Sequence, residues 1–159
     1  MKSHTHYMDL ALDQARHAFS LDEVPIGAVV VDPVKGVIGK GHNRRESDHD
    51  PTAHAEMLAL RAAGAAKGDW RLTECALYVT VEPCPMCAGA LVNARIKTLV
   101  YGVRDSKAGA VVSLMSLTND SRLNHQVEVI EGVQNKECAE LLRSFFTRLR
   151  SGRIDGPMV

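Results

Sequence analysis

Ala76-Leu77-Tyr78-Val79-Thr80-Val81-Glu82-Pro83-Cys84-Pro85-Met86-Cys87 decides the reading of this chain, because an apolar run passes with no spacer into a proline-flanked pair of cysteines. The run has the composition of a strand. Pro83 stops it, and Cys84, Cys87, Ala90 and Leu91 then recur at helical spacing. An extended pattern resumes over residues 96–101, so the whole stretch predicts a strand-helix-strand unit. Two cysteines three apart share one face of a helical turn, and near a helix N-terminus the aligned amides favour the thiolate that a metal requires.

Upstream, twenty-nine residues before Pro83, stands His54-Ala55-Glu56. Together the two motifs supply three zinc ligands, His54, Cys84 and Cys87, and one carboxylate, Glu56, that is not a ligand. A structural zinc normally takes four protein ligands, whereas a catalytic zinc takes three and leaves the fourth position to water. The count points to hydrolysis, with one Zn2+ per subunit. Two thiolates cancel the ion's charge and a neutral histidine adds none, so a bound water falls from a pKa of about 15.7 to roughly 7 and hydroxide exists at neutral pH. Glu56, two residues beyond His54, is placed to shuttle protons between that water and a substrate.

A Cys-x-x-Cys pair alone would serve equally as a redox couple or a structural half-site. The His-x-Glu pair moves the reading to catalysis. Cys75 precedes the strand, which at about 3.3 Å per residue carries it roughly 20 Å from Cys84. Cys138 shares a helical face with Leu141, Leu142, Phe145 and Leu149. Both read as packing.

Outward from the motifs, apolar residues from Met8 to Phe19 repeat at helical spacing and predict an amphipathic N-terminal helix. Residues 25–31 and 34–40 read as a hairpin turning at Asp32-Pro33. A polar loop covers 43–51, and Thr52 is placed to cap a helix that carries His54 and Glu56 and ends near Gly64 or Gly68. After the strand at 96–101, the apolar piece 111–117 has the length of a short crossover helix before a strand at 126–130, which makes a parallel final strand the expectation. A helix over 135–150 and a short tail over 151–159 close the chain. The expected fold class is α/β: a five-stranded mixed sheet between helices in three layers, its last two strands parallel through a crossover helix. The two ligand-bearing helices lie side by side and start at one edge.

At 159 residues, with 45% hydrophobic and 24% charged residues, the chain suits a single domain over 1–159, with its core at about 5–150. The opening residues hold no uninterrupted apolar stretch, and no later run approaches the eighteen or so residues that read as a membrane span. A soluble, cytoplasmic protein with no membrane partner is the expectation, and four cysteines, two of them assigned to metal, suit a reducing compartment. Nineteen basic and nineteen acidic residues give zero net charge, so any nucleic-acid contact must come from local patches.

Motif chemistry alone leaves amides, phosphates and amidines open as substrates. The His-x-Glu and Pro-Cys-x-x-Cys pair resembles the signature of the zinc-dependent nucleobase deaminases. From Glu23-Val24-Pro25-Ile26-Gly27-Ala28 onward the chain is similar to the bacterial tRNA-specific adenosine deaminases, within the cytidine/deoxycytidylate deaminase superfamily. The resemblance covers about residues 5–150. It rests on Gly41-His42-Asn43, Pro51-Thr52-Ala53-His54-Ala55-Glu56-Met57, Asp69-Trp70-Arg71-Leu72, the 77–90 stretch, Gly102-Val103-Arg104-Asp105-Ser106-Lys107-Ala108-Gly109-Ala110, and Phe145-Phe146-Thr147-Arg148-Leu149-Arg150. The zinc motif is common to the superfamily, and the 104–110 and Phe-Phe segments look specific to the tRNA enzymes.

The resemblance implies a cytidine-deaminase-like fold and conversion of adenosine to inosine at the wobble position of a tRNA anticodon. Zinc hydroxide would attack C6 with Glu56 as the shuttle, and extrusion of the base is cheaper from a loop than from a duplex. It implies a purine contact from Asn43, which by itself reads as a turn-capping amide, and base placement by backbone groups beside Ala55 and at Pro83. It also implies a homodimer, and RNA contacts from Arg44, Arg45, Arg104, Asp105, Lys107, Phe146 and Arg148, although charge alone reads these as a solvated face as readily as a phosphate rim. The hairpin turn is slightly longer than usual in the family, and the tail after Arg153 lacks an extended basic run. Two other readings compete: a free-base deaminase acting on guanine or a related amino-heterocycle, and a non-catalytic, zinc-stabilised RNA-binding module. The unligated carboxylate of Glu56 speaks against the last.

Overall fold

The computed structural model describes residues 2–152, so the tail from Arg153 lies outside the described residues. Its elements run α1 (His4–Ser20), β1 (Gly27–Asp32), β2 (Gly36–His42), α2 (Ala55–Lys67), β3 (Ala76–Val81), α3 (Pro85–Asn93), β4 (Thr98–Val103), β5 (Glu128–Glu131) and α4 (Asn135–Arg150). The strands form one sheet in the order β2-β1-β3-β4-β5. β1 is antiparallel to β2 and β3, whereas β3, β4 and β5 are parallel.

Side chains alternate across the pleat. Ala28, Val30, Leu77, Val79, Leu99 and Tyr101 face α2 and α3, where they meet Ala59, Leu60, Ala63, Leu91 and Val92. Val29, Val31, Tyr78 and Val100 face the other way, toward Tyr7, Met8 and Leu12 of α1 and Cys138 of α4. The central strands are therefore buried on both faces, which accounts for their near-continuous apolar sequence. Burying one such side chain contributes about 1.5–3 kcal/mol, so the two clusters hold the three layers together. α2 lies so close on β2 that a Cβ on Gly41 would sit 2.3 Å from the carbonyl oxygen of Ala55, so glycine is needed where the first turn of α2 touches the sheet.

Three boundaries differ from the sequence expectation. α2 starts at Ala55 with His54 as its N-cap residue, while the Thr52 hydroxyl bonds Asp50 instead of capping the helix. The hairpin turn spans Pro33 to Lys35, held by Asp32 Oδ1 accepting from the amides of Val34 and Lys35 at 2.8 and 3.0 Å. The crossover between β4 and β5 contains a 3-10 turn, Leu117–Asn119, in place of an α-helix. The amides of Val111, Val112 and Ser113 all donate to the carboxylate of Glu82, and those of Leu114 and Leu117 close wider turns, on the carbonyls of Gly109 at 2.9 Å and Ala110 at 3.0 Å, so no α-helical ladder forms. Among the described residues, no helix is long and apolar enough to cross a membrane.

Candidate metal and base-binding site

His54 and Cys84 hold equivalent places, each the N-cap residue of a helix that starts at the same end of the sheet. Neither side chain caps its helix, so both are free to face a common point. Pro85 follows Cys84 at the first helical position, where its missing N–H costs nothing, and places Cys87 one turn on. The Sγ atoms of Cys84 and Cys87 lie 3.6 and 3.5 Å from His54 Nδ1. All three candidate ligand atoms fall within 4.8 Å of one another. Zinc–sulfur and zinc–nitrogen arms of about 2.3 and 2.0–2.1 Å set at the tetrahedral angle put sulfur and nitrogen about 3.5 Å apart. The donor set thus fits a zinc ion in chemistry and in spacing. Cys75, 3.9 Å from Asp32 Oδ2, and Cys138, packed under Gly102, stand outside the cluster.

Charge supports the same assignment. Hydrogen bonds from Cys87 and then His54 outweigh burial and bring the Cys84 thiol down to about 4. The Cys87 thiol goes the other way, raised by its hydrogen bond to Cys84 and by burial. His54 is raised, chiefly by its hydrogen bond with Cys84. One thiol therefore ionises readily, and a divalent cation supplies the positive charge that ionises the second. Glu56, in the first turn of α2 and 4% exposed, is pushed up to about 7 by burial, with the nearby His54 opposing the shift and Cys84 adding to it.

Beside these groups lies a cavity of about 170 Å³, lined by Val24, Ile26, Asn43, Ala55 and Glu56 on one side and Val81, Glu82, Asp105 and Ala108 on the other. That volume is below the roughly 300–1,000 Å³ of drug-sized sites, and suits one ring system better than a whole nucleotide. Asn43 does cap a turn, since its Oδ1 accepts from the Arg45 amide at 3.1 Å and its Nδ2 donates to the Val24 carbonyl at 3.3 Å. It also lines the cavity, so both readings of Asn43 share one position. Pro83 is buried and offers its carbonyl to the Ala110 amide at 2.8 Å.

Two buried carboxylates that motif spacing does not reveal hold the walls. Glu23, 1% exposed, accepts from the amides of Glu46 and Ser47 at 3.0 and 2.6 Å and so ties down the loop that bears Asn43 and Arg45. Glu82 does the same for the 104–113 wall. Hydrogen bonds from Ser113, Val112 and Asp105 overcome the opposing effect of burial and hold its carboxyl at about 2. The signal in the sequence is a lone carboxylate at the margin of an apolar run beside a proline, Glu23-Val24-Pro25 and Glu82-Pro83. A charge buried there demands donors.

The residues expected at RNA are divided by the structure. Arg45 and Asp105 line the cavity, and Lys107 is exposed on the same wall. Arg44 pairs with Asp48 at 2.9 Å, and Arg104 grips Glu131 with two bonds of 2.9 and 2.7 Å. Arg148 pairs with Asp22 and lies 4.9 Å from the Phe19 ring, and Phe146 is 40% exposed on α4; neither lines the cavity. A larger groove, about 680 Å³, runs along α2 and α3 past Met57, Leu60, Ala90 and the exposed Trp70, with Arg71 4.4 Å from the Trp70 ring.

Comparison with known proteins agrees with this geometry. Residues 2–150 match the family of MafB19-like deaminases. The chain is 48% identical over 145 residues to the tRNA-specific adenosine deaminase of Bacillus subtilis, covering 91% of this chain and 89% of that protein. It is 46% identical to the enzyme of the same name from Haemophilus influenzae, covering 90% of this chain and 83% of that one. A structure solved in a study of A-to-I editing by tRNA:A34 deaminases superposes with a TM-score of 0.82 at 46% identity, over 86% of this chain and 99% of that one. A guanine deaminase from Nitrosomonas europaea shares the fold, with a TM-score of 0.81 at 24% identity over 92% of this chain and 86% of its own. The chain belongs to the tRNA-specific adenosine deaminases.

Proposed function

We propose that this protein deaminates adenosine to inosine at the wobble position of a tRNA anticodon, acting as one cytoplasmic deaminase domain. The observation that supports it most is the convergence of His54, Cys84, Cys87 and the protonatable Glu56 on a cavity sized for a single base. His54, Cys84 and Cys87 hold zinc, which when bound supplies a water acidic enough to be deprotonated near neutral pH. With zinc in place, Glu56 would take a proton from the attacking water and hand it to a ring nitrogen of the base as C6 is attacked. Its elevated pKa suits this role, since a carrier works best when its pKa lies near the operating pH. The remaining hydroxyl proton would pass by way of Glu56 to the exocyclic amino group, the C6–N bond breaks, and ammonia leaves as inosine forms. Asn43 and the backbone at Ala55 orient the ring, while Val24, Ile26 and Val81 shield it from water. Arg45 and Lys107 contact the anticodon backbone, Asp105 lies against the flanking nucleotides, the exposed Phe146 stacks on RNA away from the cavity, and Arg44, Arg104 and Arg148 reach RNA only at the cost of their present ion pairs.

A homodimer completes the proposal, with a second copy covering the groove beside Trp70. Exposed apolar patches of this kind mark interaction surfaces. Light scattering on the purified protein checks it, and a monomer at micromolar concentration counts against it.

The test of the activity is direct. Purified protein is incubated with an anticodon stem-loop carrying wobble adenosine and, separately, with guanine, adenosine and cytidine. Inosine in the RNA alone is the expected result. Xanthine from guanine, without turnover of the stem-loop, would assign the protein to free-base deamination instead.

A further inference from the structure

We infer that Glu82 is a positioning residue that builds the 104–113 wall of the base cavity, and that Gly109 is what admits it. The inference rests on the proposed function for its RNA readout.

Glu82 directly follows β3, two residues before Cys84, is 3% exposed, and anchors its own amide on the Val103 carbonyl at 2.8 Å. Its Oε1 accepts from the Asp105 amide at 3.0 Å, and its Oε2 from the amides of Val111, Val112 and Ser113 at 3.1, 2.9 and 2.9 Å. The Ser113 hydroxyl adds a bond of 2.5 Å to Oε1. Both ends of the loop thus close on one charged acceptor, and such bonds are roughly twice as strong as neutral ones. Five donors meet a carboxylate with about four lone-pair sites, so none is left for substrate. Glu82 acts through the wall and not on the base.

The wall matters because Asp105 and Ala108 line the cavity. Asp105 Oδ1 is already occupied by the amides of Lys107 and Ala108, at 3.0 and 3.2 Å, so the turn moves as a unit with its anchored Asp105 amide. The Ala110 amide on the Pro83 carbonyl registers the same loop against the segment that bears Cys84. A Cβ on Gly109 would lie 2.3 to 2.4 Å from the carboxylate atoms of Glu82. Any side chain at 109 therefore displaces the anchor.

Two full-length, zinc-loaded variants attack the anchor from opposite sides. Glu82→Gln turns an acceptor into a donor facing main-chain N–H groups, and Gly109→Ala keeps the carboxylate but pushes it. Expected are unchanged zinc per chain and exchange of the amides of Asp105, Val111, Val112 and Ser113 faster by about tenfold or more, with α1 and α4 unaffected. On the anticodon stem-loop KM rises about tenfold while kcat stays within about threefold, and Kd measured in a Glu56→Ala background rises about tenfold with KM. Unaltered exchange in a folded variant overturns the inference. So does a fall in kcat at constant KM and Kd, which would place Glu82 in the chemistry. If Glu82→Gln fails to fold, Gly109→Ala decides. If the wild-type protein leaves the stem-loop untouched, the proposed function fails, and amide exchange still judges the anchor by itself.

Discussion

Glu56 and Glu82 are the same side chain at nearly the same depth, 4% and 3% exposed, yet the protein drives their acidities apart. Burial raises Glu56 to about 7, against the weaker pull of its own backbone amide and of the Cys87 thiol. Burial acts on Glu82 as well, but there hydrogen bonds from Ser113, Val112 and Asp105 win and hold the carboxyl at about 2. Depth alone therefore says little about a carboxylate. The donors that converge on it, together with how far the surrounding protein desolvates it, decide whether it gains and loses protons or stays a fixed anion. One glutamate is built to change state and the other to remain constant, 26 positions apart in one site.

The largest effect that tests this contrast is on catalysis. Glu56→Gln is expected to lower kcat by on the order of 10²–10⁴, the usual contribution of a general acid–base group, while zinc content and stem-loop affinity stay at wild-type values. Activity within a few-fold of wild type would show that Glu56 carries no proton. Stability should respond in the opposite order. Glu82→Gln leaves main-chain amides unpaired at about 1–3 kcal/mol each, so about 3 kcal/mol of stability is lost. At roughly 2–4 °C per kcal/mol this is about 6–12 °C in Tm by calorimetry. Glu56→Gln should leave Tm nearly unchanged.

Acid titration sharpens the comparison. The folded carboxyl of Glu82 lies near 2, below its ordinary 4.5, so the native state binds fewer protons than the unfolded one. Its stabilising contribution is complete above about 4.5 and is lost as pH falls toward about 2, a stretch that Glu82→Gln should flatten in denaturant-midpoint measurements. Metal removal separates the two groups again. Chelation should speed amide exchange at the starts of α2 and α3 and leave the amides of Val111, Val112 and Ser113 protected, because their acceptor is protein. The smallest effect is expected at Arg104→Gln. The Arg104–Glu131 pair has side chains 58% and 41% exposed, so its loss should cost within about 1 kcal/mol by chemical denaturation.

Much of the site is legible in the sequence because a metal demands particular ligand types, and helical spacing sets the separation of Cys84 from Cys87. The two-faced burial of the sheet is equally visible in the apolar runs of β1, β3 and β4. The crossover reads as a helix because the apolar piece 111–117 has the length of one. Nothing local announces that a carboxylate nearly thirty positions earlier takes its amides. Thr52 does not cap α2 for a related reason: Asp50 offers its hydroxyl a nearer partner. The arginines are legible as charge and not as availability, since Asp48, Glu131 and Asp22 reach Arg44, Arg104 and Arg148 from other places in the chain or in the same turn.

Residue chemistry and short-range periodicity, which depend on neighbours a few positions apart, determined the candidate ligand set, the carboxylate beside it, the strand-helix-strand unit and the apolar faces. Only the tertiary arrangement decided which buried carboxylate is anchored and which is left to titrate, which arginines remain free, and that His54 and Cys84 stand as matching helix caps. Each of those outcomes depends on donors and charges brought together across the sheet, and such convergence has no counterpart in the order of residues along the chain.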